Sequence, residues 1–331
     1  MTNLYPLKFS PILKERVWGG NRLSKEYGKN AKEGSKIGES WELSGVQGDI
    51  SLVANGFLEG NNLEEIIEVY MGDLVGEEIF EKFGREFPLL IKLIDANDDL
   101  SIQVHPPDDI AKERHRAHGK TEMWYVLEAD DDAKIYTGFN REMTKELYIE
   151  SLEKGNIAEI LNIENPEPGN VFFIPSGRVH AICKGVMLTE IQQTSDITYR
   201  IWDWNRNGLD GKPRELHTEL AVDAIDYNTY ESYKTRVEPE LNRTVNIIDC
   251  KYFTTNIIEL DQAIIKDYSL IDSFVIYICV HGSAKLEWED KSMNLVKGET
   301  VLIPALMEGI GIRPAPAARI LEVYIRENFE K

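Results

Sequence analysis

Cysteine is scarce in this chain. Its three residues, Cys183, Cys250 and Cys279, are scattered without a CxxC spacing, which excludes a disulfide framework and a thiolate zinc site as organising features. Each reads as a small core residue. Basic charge is also short: 37 Lys and Arg against 57 Asp and Glu leave a formal net charge of -20, so neither nucleic acid nor an anionic membrane finds the basic surface it needs. An anionic small molecule stays admissible where a few cations gather locally. Long apolar runs are missing as well. The longest, "FVIYICV" at 274–280, is far too short to span a bilayer, and the N-terminus shows no basic-then-apolar leader pattern. These absences predict a folded cytoplasmic protein with no nucleic-acid or membrane partner; they leave its oligomeric state open.

What is present is mostly strand. Residues 1–60 are rich in glycine and short apolar stretches, with "IGESWELSG" predicted as one strand ending at Gly45. In 61–86 the period changes, and Leu63, Ile66, Ile67 and Tyr70 recur at helical spacing behind an asparagine cap. From Phe87 short strands return between Gly, Pro, Asn and Asp turns, up to about 205. Residues 206–242 carry a helical stretch, "RELHTELAVDAIDY", and an exposed linker, "YESYKTRVEPELNR"; 243–331 is strand-like again. "PGNVFFIP" (168–175) aligns without gaps on "KGETVLIP" (297–304), and "YVLEADDDAKI" (125–135) resembles "YICVHGSAKL" (277–286), each pair marking strand, turn, strand. The fold class predicted is therefore mainly β, two similar barrels with a small helical segment, the first enlarged by a helix-like insertion at 141–163.

The chemistry sits in the first barrel. In "SIQVHPPDD", Ser101, Gln103 and His105 occupy alternate positions and share one strand face, while Ile102 and Val104 share the other. A polar face inside core-like sequence needs partners, because burying such groups unpaired costs about 1 to 3 kcal/mol each. Glu122 opens the apolar strand "EMWYVL", and His180 lies among Val179, Ala181 and Ile182. Two imidazoles, a carboxylate and the Gln103 amide form the borderline N and O set that binds a divalent metal with positions left open. His115, His118 and His217 lie in polar stretches and read as surface residues; His281 is placed in a turn, and the aromatics of "IWDW" in the core.

"SIQVHP", "GKTEMWYVL", "PSGRVHAI" and "SDITYR" occur here in the order found in the class I mannose-6-phosphate isomerases, and with "WGG" (18–20) and "IGESWELS" (37–44) the chain resembles the short bacterial form of that family. The resemblance covers most of the chain. It implies two cupin (jelly-roll) barrels and one zinc per chain on Gln103, His105, Glu122 and His180. It further implies a catalytic Arg200, with Lys92, Ser101, Lys120 and Glu190 lining the active site. The implied reaction interconverts mannose 6-phosphate and fructose 6-phosphate through an enediolate. Lys92 and Ser101 would bind the sugar phosphate, and the base would be Lys120 or Glu190. Long members have His-Lys-Pro-Glu where this chain has Gly-Lys-Thr-Glu, so no histidine precedes Lys120. The second repeat lacks the ligands: Gly309 falls where His180 does in the first. Two other functions fit the same residues, a non-haem metal oxygenase and a non-catalytic sugar-binding cupin. Gln103 argues against the first.

Overall fold

A computed structural model describes residues 4–326. Residues 1–3 and 327–331, the ends of the first and last segments expected from the sequence, lie outside the described residues. The chain forms two compact units. One holds Leu13–Trp41 and Leu89–Arg236, the other the remaining described residues. These units are discontinuous where the sequence suggested a linear series. The helical segment belongs with the C-terminal strands, since Phe274 packs its ring on Phe87 at 4.6 Å and donates its N–H to the Val75 carbonyl. The helix Leu63–Tyr70 starts at Asn62 in a reciprocal capping box with Glu65 and buries Leu63, Ile66 and Ile67. No described helix is long and apolar enough to cross a membrane.

The strands of the first unit, with Ile12 of β1 and Glu42–Ser44 of β2 belonging to the other, are β1 (Ile12–Gly20), β2 (Ile37–Ser44), β3 (Leu89–Asp95), β4 (Ile102–Val104), β5 (Glu122–Ala129), β6 (Ile135–Phe139), β7 (Leu161–Glu164), β8 (Val171–Ile174), β9 (His180–Ile182), β10 (Val186–Gln193), β11 (Tyr199–Trp202) and β12 (Lys234–Thr235). They make a seven-stranded sheet in the order β1-β2-β3-β10-β5-β8-β12 and a five-stranded sheet in the order β11-β4-β9-β6-β7. Between the sheets lies an apolar core of Trp18, Ile94, Trp124, Val126, Phe172, Leu188, Ile135 and Ile182. The opposite face of the five-stranded sheet packs Ile102, Val104, Tyr199 and Ile201 on Tyr148 and Ala221 of the helices Lys145–Glu153 and Thr218–Ala224. The alternation read at 101–105 thus buries its apolar face under helices, while the polar face turns toward the other sheet with Ser101 and His105 buried and Gln103 half-buried.

In the second unit β13 (Thr244–Asp249), β14 (Thr254–Leu260), β15 (Ile264–Asp267), β16 (Val275–Trp288), β17 (Lys291–Val296), β18 (Thr300–Ile303) and β19 (Gly309–Tyr324) form one sheet, in which the long β16 and β19 pair with most of the others. Both aligned glycine-to-proline stretches are strands, β8 and β18. The match of "YICVHGSAKL" to strand, turn, strand fails: 277–286 is one stretch of β16, and His281 lies within it, not in a turn. Gly282, at φ 67°, takes the bend inside the ladder; a Cβ there would lie 2.1 Å from the Ala317 carbonyl oxygen. The exposed linker also needs correction. Lys234 and Thr235 pair with Phe172 and Val171, and Tyr233 is buried with its hydroxyl donating to the Phe139 carbonyl.

Tyr233 fits because residue 138 is glycine, at φ 67°, where a Cβ would stand 2.2 Å from the tyrosine ring. Gly138 also donates its N–H to Val179, next to His180. Gly138→Ala is expected to lower the thermal midpoint, with about 1 to 3 kcal/mol of backbone strain before the clash is counted. An unchanged midpoint by calorimetry would show that this contact does not constrain the strand bearing His180.

Candidate active site

Strand register gathers the polar residues into facing rows. On the five-stranded sheet Gln103 lies opposite Arg200 on one side and His180 on the other. On the seven-stranded sheet Glu190 lies between Lys92 and Trp124, and Gln192 is level with Glu122. Glu122 meets both histidines across the space between the sheets: Oε2 is 3.5 Å from His105 Nε2, and Oε1 is 3.5 Å from His180 Nε2. All three residues are almost fully buried, and their ligating atoms lie within 4.8 Å of one another.

Three observations fit this cluster to a divalent cation. First, each histidine's Nδ1 faces a backbone carbonyl, Ile197 at 2.9 Å for His105 and Arg178 at 2.8 Å for His180. A carbonyl only accepts, so Nδ1 carries the proton and the Nε2 lone pair points into the cluster. Burial pushes both imidazoles down, His180 to about 3 and His105 well below the usual histidine range, so both are neutral ligands. Second, Glu122 Oε1 is buried without a hydrogen-bond partner, a cost that a cation would remove. Third, the site is short of positive charge. Burial and the neighbouring Glu190 raise the Glu122 carboxyl to about 7 even though Lys120 bonds its Oε2. The Gln103 amide nitrogen is 3.2 Å from His180 Nε2, and Ser101 donates to its oxygen at 3.2 Å. A half-turn of the amide would bring the oxygen to face the cluster.

The remaining expected residues surround the same place. Lys120 is buried, 2.9 Å from His105 Nε2 and 3.8 Å from Glu190. Burial works against its charge, but Glu122 and Glu190 outweigh it and its pKa rises. Lys92 is buried and donates to Glu190 at 3.0 Å. Burial of Glu190 is outweighed in turn by Lys120 and Lys92, which hold it down to about 2. Neither lysine is a solvated surface residue. Gln103, Ser101, Lys92, Lys120, Glu190 and Arg200 all line a cavity of about 610 Å³. Gly119, which precedes Lys120, has no room for a side chain: a Cβ would stand 2.7 Å from the Asp108 nitrogen.

Other lining residues escaped sequence reading. Glu39 receives Arg16 at 2.9 and 3.1 Å and Trp41 Nε1 at 2.7 Å, and its carboxyl is held low as Lys92 and Arg16 overcome its burial. The signal used for Glu122, a carboxylate among apolar neighbours, is missing here, since Ser40, Glu42 and Ser44 share the strand with Glu39. His217, read as a surface residue, lines the cavity beside Arg200 and Arg214; its place depends on how the chain returns after β11, which local pattern does not encode. His115 is exposed but within 2.8 Å of the Tyr199 hydroxyl. Trp202 and Trp204 pack on the core beneath β11.

Among the described residues this is the one such metal-ligating group. Purified protein should carry about one equivalent of divalent metal, and His105→Ala or His180→Ala should lose it, because few other ligands remain. Elemental analysis showing full occupancy in both variants would eliminate this ligand set.

Comparison with known proteins points to one family. The sequence model described as phosphomannose isomerase type I, catalytic domain, matches residues 6–143, and that of the mannose-6-phosphate isomerase cupin domain matches residues 242–314. The chain is 34% identical over 306 residues to the mannose-6-phosphate isomerase ManA of Bacillus subtilis, covering 90% of this chain and 93% of that one. It is 38% identical over 224 residues to the mannose-6-phosphate isomerase of Streptococcus mutans, covering 66% and 67%. The crystal structure of the mannose 6-phosphate isomerase from Bacillus subtilis superposes with a TM-score of 0.85 at 31% identity, covering 97% of this chain and 100% of that one. With cupin architecture, a metal-fitting cluster and relatives matched over most of their length, the chain belongs to the type I phosphomannose isomerase family.

Proposed function

We propose that this chain interconverts mannose 6-phosphate and fructose 6-phosphate through an enediolate, with one zinc ion held by His105, Glu122, His180 and Gln103. The observation that carries the reading is the buried His105, Glu122, His180 cluster, its two Nε2 lone pairs turned toward a carboxylate whose Oε1 has no hydrogen-bond partner, adjoining the cavity through Lys120 and Gln103. The names of the relatives support the substrate. A bound zinc ion supplies Lewis acidity as negative charge develops on the sugar oxygens.

The chain's own residues do the rest. Arg200 lines the cavity with a buried Nε–H that has no protein partner, and it donates to the enediolate oxygens. Lys120 and Glu190, 3.8 Å apart in the cavity wall, are the groups that carry the proton between carbons 2 and 1. Held ionised, Glu190 can accept a proton; Lys120, held charged by Glu122 and Glu190, can only donate one. Acting as a pair, they let a proton leave one carbon and return to its neighbour on the same face. Lys92 keeps Glu190 ionised, and together with Ser101 it is a proposed contact for the sugar phosphate. In a chain of net charge -20, Arg16, Lys92, Lys120, Arg200 and Arg214 balance Glu15, Glu39, Glu190, Asp196 and Asp210 around the cavity, so a dianion meets less repulsion there than elsewhere on the surface. The reading includes a cytoplasmic location, in keeping with three cysteines that are free thiols.

A coupled assay with mannose 6-phosphate, before and after chelation and with zinc added back, tests the reading; activity that chelation leaves intact would refute the metal's part. Arg200→Ala is expected to lower kcat by roughly 10² or more with KM comparatively unchanged, the scale of a lost oxyanion donor. A rise in KM alone would move Arg200 to ground-state binding.

A further inference from the structure

Arg200 and the segment Glu215–His217 hold each other at three points. The Arg200 backbone N–H donates to His217 Nδ1 at 3.1 Å, the His217 N–H donates to the Arg200 carbonyl at 2.7 Å, and Arg200 Nη1 donates to the Glu215 carbonyl at 2.9 Å. β11 is the edge of its sheet. A neighbouring strand would offer a backbone carbonyl to the Arg200 N–H; here an imidazole nitrogen takes that place. Because a backbone N–H only donates, Nδ1 must be unprotonated and the ring hydrogen must sit on Nε2. The segment is itself tethered. Arg214 donates through Nε to Asp203 Oδ2 at 2.6 Å and through Nη2 to Oδ1, and Asp203 is buried. With one Nη1 N–H held by the Glu215 carbonyl, the Nε–H of Arg200 is buried without a protein partner.

We infer that His217 is a positioning residue: its Nδ1, with the Glu215 carbonyl, fixes Arg200 so that the free edge of the guanidinium stays aimed at the reacting oxygens. The inference rests on the proposed role of Arg200 in isomerisation. Its structural half, that Nδ1 of His217 sets the conformation of Arg200, stands apart from any activity. Nothing in this role requires His217 to touch the substrate.

The side-chain amides of asparagine and glutamine mimic Nδ1 and Nε2 of histidine respectively, so substitution separates the two nitrogens. His217→Asn keeps an acceptor where Nδ1 lies and suits the start of the helix Thr218–Ala224; His217→Gln and His217→Ala lose it. In isomerase assays with mannose 6-phosphate, Gln and Ala are expected to lower kcat about 10-fold with KM little changed, since small misplacements of a catalytic group cost one to two decades. Asn is expected to stay within about threefold of the parent. In parallel, the Arg200 Nε–H NMR signal, assigned by its loss in Arg200→Lys, should persist in the Asn variant and broaden or shift in the other two. Rescue by Gln and not by Asn would overturn the inference and assign Nε2 a direct part; parental kcat and an unmoved signal in all three would overturn it as well. If the Ala variant does not fold, the Asn and Gln pair decides. If the parent is inactive on mannose 6-phosphate, the functional reading fails, and the NMR comparison still decides whether His217 positions Arg200.

Discussion

The carboxylate of Glu122, with no solvent exposure, is the constraint around which the first unit is built. A lone buried carboxylate is prohibitively costly, so it must gather positive charge or give up its own. Lys120 answers part of the demand, and Glu190, one strand away, competes for the same lysine. The result is a carboxyl raised to about 7, a site that a divalent cation completes. The two histidines are already neutral and turned inward by their carbonyl partners, so the arrangement is preorganised for a metal.

That arrangement explains why lysines lie inside an acidic protein. Lys92 and Lys120 alternate in space with Glu190 and Glu122, and Glu39 with Arg16 extends the pattern along the cavity wall. Each charge is tolerable because its neighbour is opposite, and each proton affinity is set by that neighbour. Removing one member disturbs the others, so single substitutions here report on the network as well as on the residue replaced. The second unit has a buried polar group of its own, with Glu322 meeting Asn256, Lys266 and Tyr268, and among the described residues no metal-fitting histidine group forms there.

Much of the site was legible because burial makes polar residues conspicuous in a strand. Ser101, Gln103 and His105 stood out by period, Glu122 and His180 by their apolar neighbours. Where local signals misled, the cause was tertiary. "VHGS" has the composition of a turn, yet Gly282 makes a bend inside a paired strand. The stretch 230–243 is polar enough for a linker, yet it lends Tyr233 to the core and two residues to a sheet edge. Glu39 lacked the apolar neighbours that marked Glu122, because its strand also carries Ser40, Glu42 and Ser44.

The sequence alone determined a mainly β chain, the acidic surface, the exclusion of thiolate metal sites and the identity of the metal-fitting residues, because alternation and residue chemistry are local properties. Only the tertiary structure decided which charges share a space. The antiparallel register that sets Lys92 beside Glu190 and Gln103 between Arg200 and His180 joins residues up to about a hundred positions apart. The return of the chain after β11 brings His217 against Arg200 across 17 positions. Those partners fix proton positions and pKa values, and no local pattern in the sequence carries them.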